Sequence, residues 1–153
     1  MLNMQGIRQA AANVVQIVWG EPQTLAGFAL FLVHSKRPHF IFHGAVVTTW
    51  ESLKALSLGP FVFINGPDDP DQAEERVDKR LLVHEYGHTL QSLVLGPLYL
   101  LVIGLPSLAW LNVPAFSRWR NRKQLSYYRF YTERSANWLG ELALKEPAAG
   151  SDD

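Results

Sequence analysis

Leu81-Leu82-Val83-His84-Glu85-Tyr86-Gly87-His88 is the stretch from which the rest of the chain is read. It lies inside a run with a helical pattern that continues to Leu95, where Gly96-Pro97 stops or kinks it. The start is signalled upstream. Asp69 can cap the helix, Pro70 suits its first position, and Asp71, Glu74 and Glu75 favour the positive end of its dipole. One long helix from about Pro70 to Leu95 is therefore expected.

His84, Glu85 and His88 follow the spacing H-E-x-x-H. Residues four apart on a helix lie one turn from each other on one face, so two imidazoles at this spacing can share one metal ion. Glu85 is rotated by about 100° from His84. Its carboxylate then stands beside the metal, where it can take a proton from the attacking water and hand it to a leaving amine. Zinc suits this task because it accepts nitrogen and oxygen ligands and keeps an open position. Gly87 is a further signal. Glycine in a helix interior costs about 1 kcal/mol against alanine, so its use here points to another backbone approaching closely. Two alternatives stand beside this reading: two ordinary polar histidines on a helix, or a closed structural metal site.

A third ligand must come from elsewhere. His34, His39, His43 and the downstream carboxylates are the candidates. Glu133 is the best placed, on a helix expected over about 126–144, with Asn137 four residues later on the same face. Asn137 could hydrogen-bond a ligating imidazole from behind. The plainer alternative is a solvated Glu133/Arg134 pair on an amphipathic helix. Glu141 shares the face, and Glu146 is close to the end of the sequence.

The whole chain narrows the field. It has 153 residues, fits one domain, and carries 14 basic and 14 acidic residues with no cysteine. Zero net charge gives no footing for a nucleic-acid partner, and the absence of cysteine excludes thiolate ligands and disulfides. No secretory signal is read at the N-terminus. Over 9–35, two short helices or one kinked helix are expected around a break at Gly20-Glu21-Pro22. Strands are expected at 39–43, 45–50 and 58–64, with turns at Gly44 and at Asn65-Gly66-Pro67-Asp68. Residues 147–153 have the composition of a flexible tail, leaving 1–146 as the domain.

On His84 to His88 and the helix carrying Glu133 and Asn137, the chain resembles the gluzincin group of zinc metallopeptidases. The resemblance covers 81–95 and 126–140 and implies a zincin-like α+β fold: a small sheet, the H-E-x-x-H helix, an apolar helical hairpin and a C-terminal glutamate helix. It implies zinc held by His84, His88 and Glu133, with Glu85 as the general base of peptide-bond hydrolysis and a peptide or protein as substrate. Asn137 stands where that group usually has aspartate, so it can accept a hydrogen bond but cannot neutralise charge. In that group an edge strand before the motif helix pairs with extended substrate, and 61–64 has the corresponding place in chain order; an ordinary interior strand is the favoured reading. Tyr127, Tyr128, Tyr131 and His43 are candidates for polarising the scissile carbonyl.

No charge occurs from 89 to 116, and 93–111 is nearly all apolar. That is long enough for a membrane span of about 20 residues. A single crossing would separate His84 from Glu133. Breaks at Pro97 and at Gly104-Leu105-Pro106 suit a hairpin that returns to its starting side. The basic groups Lys36-Arg37 and Arg118, Arg120, Arg122 and Lys123 would then face one anionic leaflet. Membrane association through 93–113 is one expectation, and a buried core hairpin of a cytoplasmic protein is the other. A non-catalytic, membrane-associated metal-binding or interaction protein is the competing functional class.

Overall fold

The structure is a computed structural model and describes residues 21–151; the helix expected before Gly20 lies outside the described residues. The fold is α+β, with a mixed four-stranded sheet and, among the described residues, six α-helices. Helix α1 spans Glu21–Val33. Strands β1 (His39–Phe42), β2 (Ala45–Trp50), β3 (Leu56–Leu58) and β4 (Phe61–Asn65) follow. Their order in the sheet is β1-β2-β4-β3, with β2 and β4 parallel and both outer pairs antiparallel.

The expected strand at 58–64 is in fact a hairpin. Gly59 takes φ of 60° and, with Pro60, turns the chain between β3 and β4. Left-handed backbone is open to glycine at little cost, and Pro60 lacks the N–H that a continuous strand would need. The consequence is positional. Strand β4 is interior, as its apolar run Phe61-Val62-Phe63-Ile64 fits, and the edge falls to β3.

The sheet is covered on both faces because its side chains alternate. Val62 and Ile64 join Ala45, Val47, Val77 and Leu82 in the core on one side. Phe61 packs against Phe28 and Phe31 of α1 on the other, where Phe63 meets His34. Burying each of these large apolar side chains contributes about 1.5–3 kcal/mol.

The helix expected from Pro70 is two helices. Asp69 caps a 3₁₀ turn at Pro70–Gln72, followed by α2 (Ala73–Arg76). Val77 is extended, and Asp78 then caps α3 (Lys79–Leu95), accepting from the N–H groups of Arg80 and Leu81 at 2.9 and 3.3 Å. Val77 is 4% exposed in the core, so the break turns an apolar side chain inward.

After α3 come a 3₁₀ turn (Gly96–Leu98), a π-helical stretch (Leu100–Gly104) and α4 (Leu105–Asn112). The two apolar arms, Lys79–Leu98 and Leu100–Asn112, meet at a bend of 117°. There is one break where two were expected. Gly104-Leu105-Pro106 lies where π becomes α within a continuing helix: Pro106 has no N–H for the Val102 carbonyl four residues back, and that carbonyl accepts from the Tyr131 hydroxyl at 2.6 Å instead. Among the described residues no single helix is long and apolar enough to cross a membrane; the bent pair passes by length and composition only. Helix α5 (Pro114–Lys123), a 3₁₀ turn (Tyr127–Arg129) and α6 (Tyr131–Leu144) complete the chain. Residues 147–151, read from composition as a flexible tail, pack onto the fold: Ala148 is fully buried, and the Ala149 N–H donates to the Arg80 carbonyl at 2.9 Å.

Candidate metal centre

Helices α3 and α6 cross in close contact, and that contact builds the site. On the facing surfaces, a Cβ on Gly87 would meet the Ala136 carbonyl, and a Cβ on Gly140 would meet the Val83 carbonyl at 2.2 Å. The close approach expected at Gly87 is thus the backbone of α6. It brings the side chains of His84 and His88 to Glu133.

The Glu133 Oε2 atom lies 3.2 Å from His84 Nε2 and 3.5 Å from His88 Nε2. Candidate ligand atoms of all three residues lie within 4.8 Å of one another, and all three residues are buried. The two shorter separations suit a tetrahedral ion, whose donors at about 2.0–2.1 Å would stand about 3.4 Å apart. Glu133 is fixed through its other oxygen, Oε1, which accepts from Ser107 Oγ at 2.5 Å and Thr132 Oγ1 at 2.9 Å.

Each histidine is held from behind by an amide. His84 Nδ1 is 2.6 Å from Asn137 Oδ1, and His88 Nδ1 is 2.7 Å from Gln91 Oε1. Backbone carbonyls fix which way these amides face. Asn137 Nδ2 donates to Ala149 O, and Gln91 Nε2 donates to Thr132 O, each at 2.8 Å. The amide oxygens must therefore face the imidazoles, and an amide oxygen only accepts. Both Nδ1 atoms carry protons, leaving both Nε2 atoms to face Glu133 and any shared ion. This donor set fits a divalent ion with nitrogen and oxygen preference.

Without an ion, the same Nε2 atoms are the hydrogen-bonding partners of Glu133. Burial pulls the His88 imidazole down, but the hydrogen bond and charge of Glu133, with Glu85 and Gln91, raise it to about 8. Burial pushes the Glu133 carboxyl up, and the two imidazoles overcome this and hold it well below the usual carboxylate range. A proton on His88 thus stands in for a cation between the ligands.

Glu85 is 5% exposed and lines the same cavity as the three ligand groups. Its Oε2 accepts from Ser57 Oγ on strand β3 at 2.6 Å. The cavity has a volume of about 610 Å³. Strand β3 and the loop before it form one wall, the apolar helix from Tyr99 to Leu111 forms another, and α3 carries His84, Glu85 and His88 into it. Nine leucines line it.

Of the four candidate carbonyl-polarising groups, Tyr127 and Tyr128 line the cavity. Burial, and then the charge of Glu133, raise the Tyr127 phenol well above its ordinary value, so it remains a donor. Tyr131 and His43 are not in the lining. Tyr131 is half exposed and donates to the Val102 carbonyl, while His43 sits at the β1–β2 turn against Phe42 and Tyr86. His34 and His39 bond the carbonyls of Leu30 and Arg37 and stand apart from the group. Glu141 points elsewhere and accepts from the Ala148 N–H at 3.0 Å.

Sequence reasoning missed Gln91, Ser107, Thr132, Ser57 and Tyr99. Gln91 was within reach, since it lies three residues after His88 on the same helix. Ser107 and Ser57 come from distant segments and left no local signal.

Compared with known protein families, with characterised proteins and with solved structures, the chain matches none.

Proposed function

We propose that the chain is a zinc-dependent metallopeptidase that hydrolyses peptide bonds next to large apolar side chains. The observation that carries this reading is the Glu85 carboxylate, buried beside the His84, His88 and Glu133 group and facing the same cavity. A structural metal site would have no use for a carboxylate that is not one of its ligands, held beside them and lining a cavity.

His84, His88 and Glu133 hold the ion. Bound zinc would acidify water and polarise the scissile carbonyl. Glu85 takes the proton of the attacking water and passes it to the leaving amine nitrogen. The phenols of Tyr127 and Tyr128 supply O–H donors toward the carbonyl oxygen. Among the described residues strand β3 is paired on one side only, by β4, so an extended peptide can add to its other edge. The leucines around the cavity accept apolar side chains and exclude water.

The test compares the zinc-loaded protein with Glu85→Gln on a set of quenched fluorescent peptides with Leu, Phe or Asp at the cleavage site. Wild type cleaves the Leu and Phe peptides; the variant keeps its zinc and cleaves none. Equal activity of the two would sink the mechanism, and wild type cleaving nothing would sink the function.

A second reading, a membrane-associated metal-binding protein without hydrolysis, is favoured by one feature. Val94, Leu98 and Val102, spaced four apart along the bent apolar arms and outside the cavity lining, are all exposed. Co-flotation with anionic vesicles, together with no cleavage of any peptide, would select it.

A further inference from the structure

We propose that the segment 147–151 is a working part of the metal centre, a strap that fixes which nitrogen of His84 carries the proton. The inference rests on the metal reading of His84, His88 and Glu133 and is independent of hydrolysis.

The strap reaches His84 by two routes. The Ala149 carbonyl accepts from Asn137 Nδ2 at 2.8 Å, and Asn137 Oδ1 lies 2.6 Å from His84 Nδ1. Gly150, with φ of 71°, is pressed on the Tyr128 ring so closely that a Cβ there would lie 2.0 Å from it. That ring stands edge-on to the His84 imidazole, with centroids 5.1 Å apart.

The anchors of the strap lie away from the site. Lys145 takes φ of 60° and turns the chain back at the end of α6. Glu141 accepts from the Ala148 N–H and from the Ser151 hydroxyl. Arg80 Nε donates to the Ala148 carbonyl at 3.1 Å, and Arg80 O accepts from Ala149 N–H. Ala148 is fully buried, and Gly150 has no room for a side chain against Tyr128.

The chemistry follows from the amide. An asparagine side chain presents an oxygen acceptor or an NH₂ donor, and rotating it by about 180° exchanges them. The Ala149 carbonyl accepts only from the NH₂, so it pins the oxygen toward His84. With the strap detached, Asn137 can turn its NH₂ to His84 Nδ1. His84 then protonates Nε2 instead, the nitrogen that faces Glu133, and can no longer donate a lone pair to an ion there.

The test uses the full chain with Glu141→Ala, which removes two of the strap's four anchoring hydrogen bonds and leaves every site residue in place. Zinc affinity is read by competition with a chromophoric chelator. The His84 tautomer is read by ¹⁵N NMR of the metal-free protein on the neutral form of the ring. Glu141→Ala is expected to bind zinc about tenfold more weakly and to show mixed His84 tautomers, with unchanged far-UV circular dichroism. Glu141→Gln, which keeps an acceptor, is expected to match wild type in both. Ser151→Ala, which removes one of the two groups held by Glu141, should fall between and serves if Glu141→Ala fails to fold. Wild-type zinc affinity with a pure Nδ1–H tautomer in the anchor variants overturns the strap and leaves the metal reading intact. If wild type binds no zinc, the metal reading falls, and the His84 tautomers in the variants still decide whether the strap orients the ring.

Discussion

Gly87 of α3 lies against the backbone of α6 so tightly that a Cβ on it would sit 1.9 Å from the Ala136 carbonyl oxygen. Nothing at the end of a flexible side chain can yield there; a whole helix must move. Gly87→Ala gains about 1 kcal/mol in helix propensity. It loses more by forcing apart the helices that bring His84 and His88 to Glu133, since overpacking a tight contact costs about 1–3 kcal/mol and occasionally more. The expected net change is a destabilisation of about 2 kcal/mol with loss of zinc binding. Urea denaturation and metal analysis of the purified variant check both parts. A variant as stable as wild type would show that the helices separate for no more than the roughly 1 kcal/mol gained in propensity.

Gln91 holds His88 as Asn137 holds His84, and it is itself held by Thr132 O and Ser135 Oγ at 2.8 Å each. Gln91→Leu keeps the volume and removes the acceptor for His88 Nδ1–H. Zinc affinity should fall by about 10–100-fold, as for other residues that orient a metal ligand from behind. Gln91→Glu keeps the acceptor for His88 but loses the NH₂ that donates to Thr132 O and Ser135 Oγ, so it should weaken zinc binding less than Gln91→Leu does. Chelator competition on the two variants separates orientation from packing: equal weakening in both would mean that Gln91 matters only for its shape.

The parts of the site that were legible in the sequence are those set by spacing within one helix. His84, Glu85 and His88 share α3, and Glu133 and Asn137 share α6, so periodicity alone puts each set on one face. Gly87 also spoke, because a glycine inside a helix demands a reason. The rest depends on where segments distant in sequence come to lie. Ser57 reaches Glu85 only because Gly59 folds β3 back along β4, and the single-strand reading of 58–64 hid that hairpin. Ser107 reaches Glu133 only because the apolar arms bend by 117°. The strap at 147–151 has the small, polar composition of a frayed end, and the same small residues are what let it enter a narrow gap. Composition measures what a segment could bury by itself and is blind to a groove waiting for it.

Without metal, the His88 imidazole is sensitive to pH. Its folded value of about 8 lies above the ordinary 6.5, so its charged form stabilises the metal-free fold. The sign is that of a group with a raised pKa: the stabilisation is complete below about 6.5 and lost as pH rises through about 8. The metal-free protein should therefore be less stable at about pH 9 than at about pH 6, by about 2 kcal/mol at most, taking 1.36 kcal/mol per unit. Zinc must displace the same proton, so its affinity should rise toward pH 8 by up to about tenfold per unit and level off above. Denaturation and zinc titrations across this range test both. A zinc affinity that does not vary between about pH 6 and 8 would mean that His88 carries no proton there.

Ser57 touches the proposed reaction at its most sensitive point. Its hydroxyl, 2.6 Å from Glu85 Oε2, donates to one oxygen of the general base and so decides where the other oxygen lies. The same residue is held from outside the strand by the Tyr99 hydroxyl, 3.3 Å from the Ser57 carbonyl. Ser57→Ala removes the donor and leaves β3 and its open edge intact. A positioned general base contributes about 10²–10⁴-fold to rate, and misplacing rather than deleting it should forfeit part of that, about tenfold in kcat. KM should hold, because the strand edge and the leucines are unchanged. Ser57→Thr, which keeps the hydroxyl, should recover most of the rate, and zinc content should be the same in all three proteins. Loss of zinc together with rate would place Ser57 among the groups that support the fold of the site. A change in KM alone would move its role from Glu85 to the binding edge of β3.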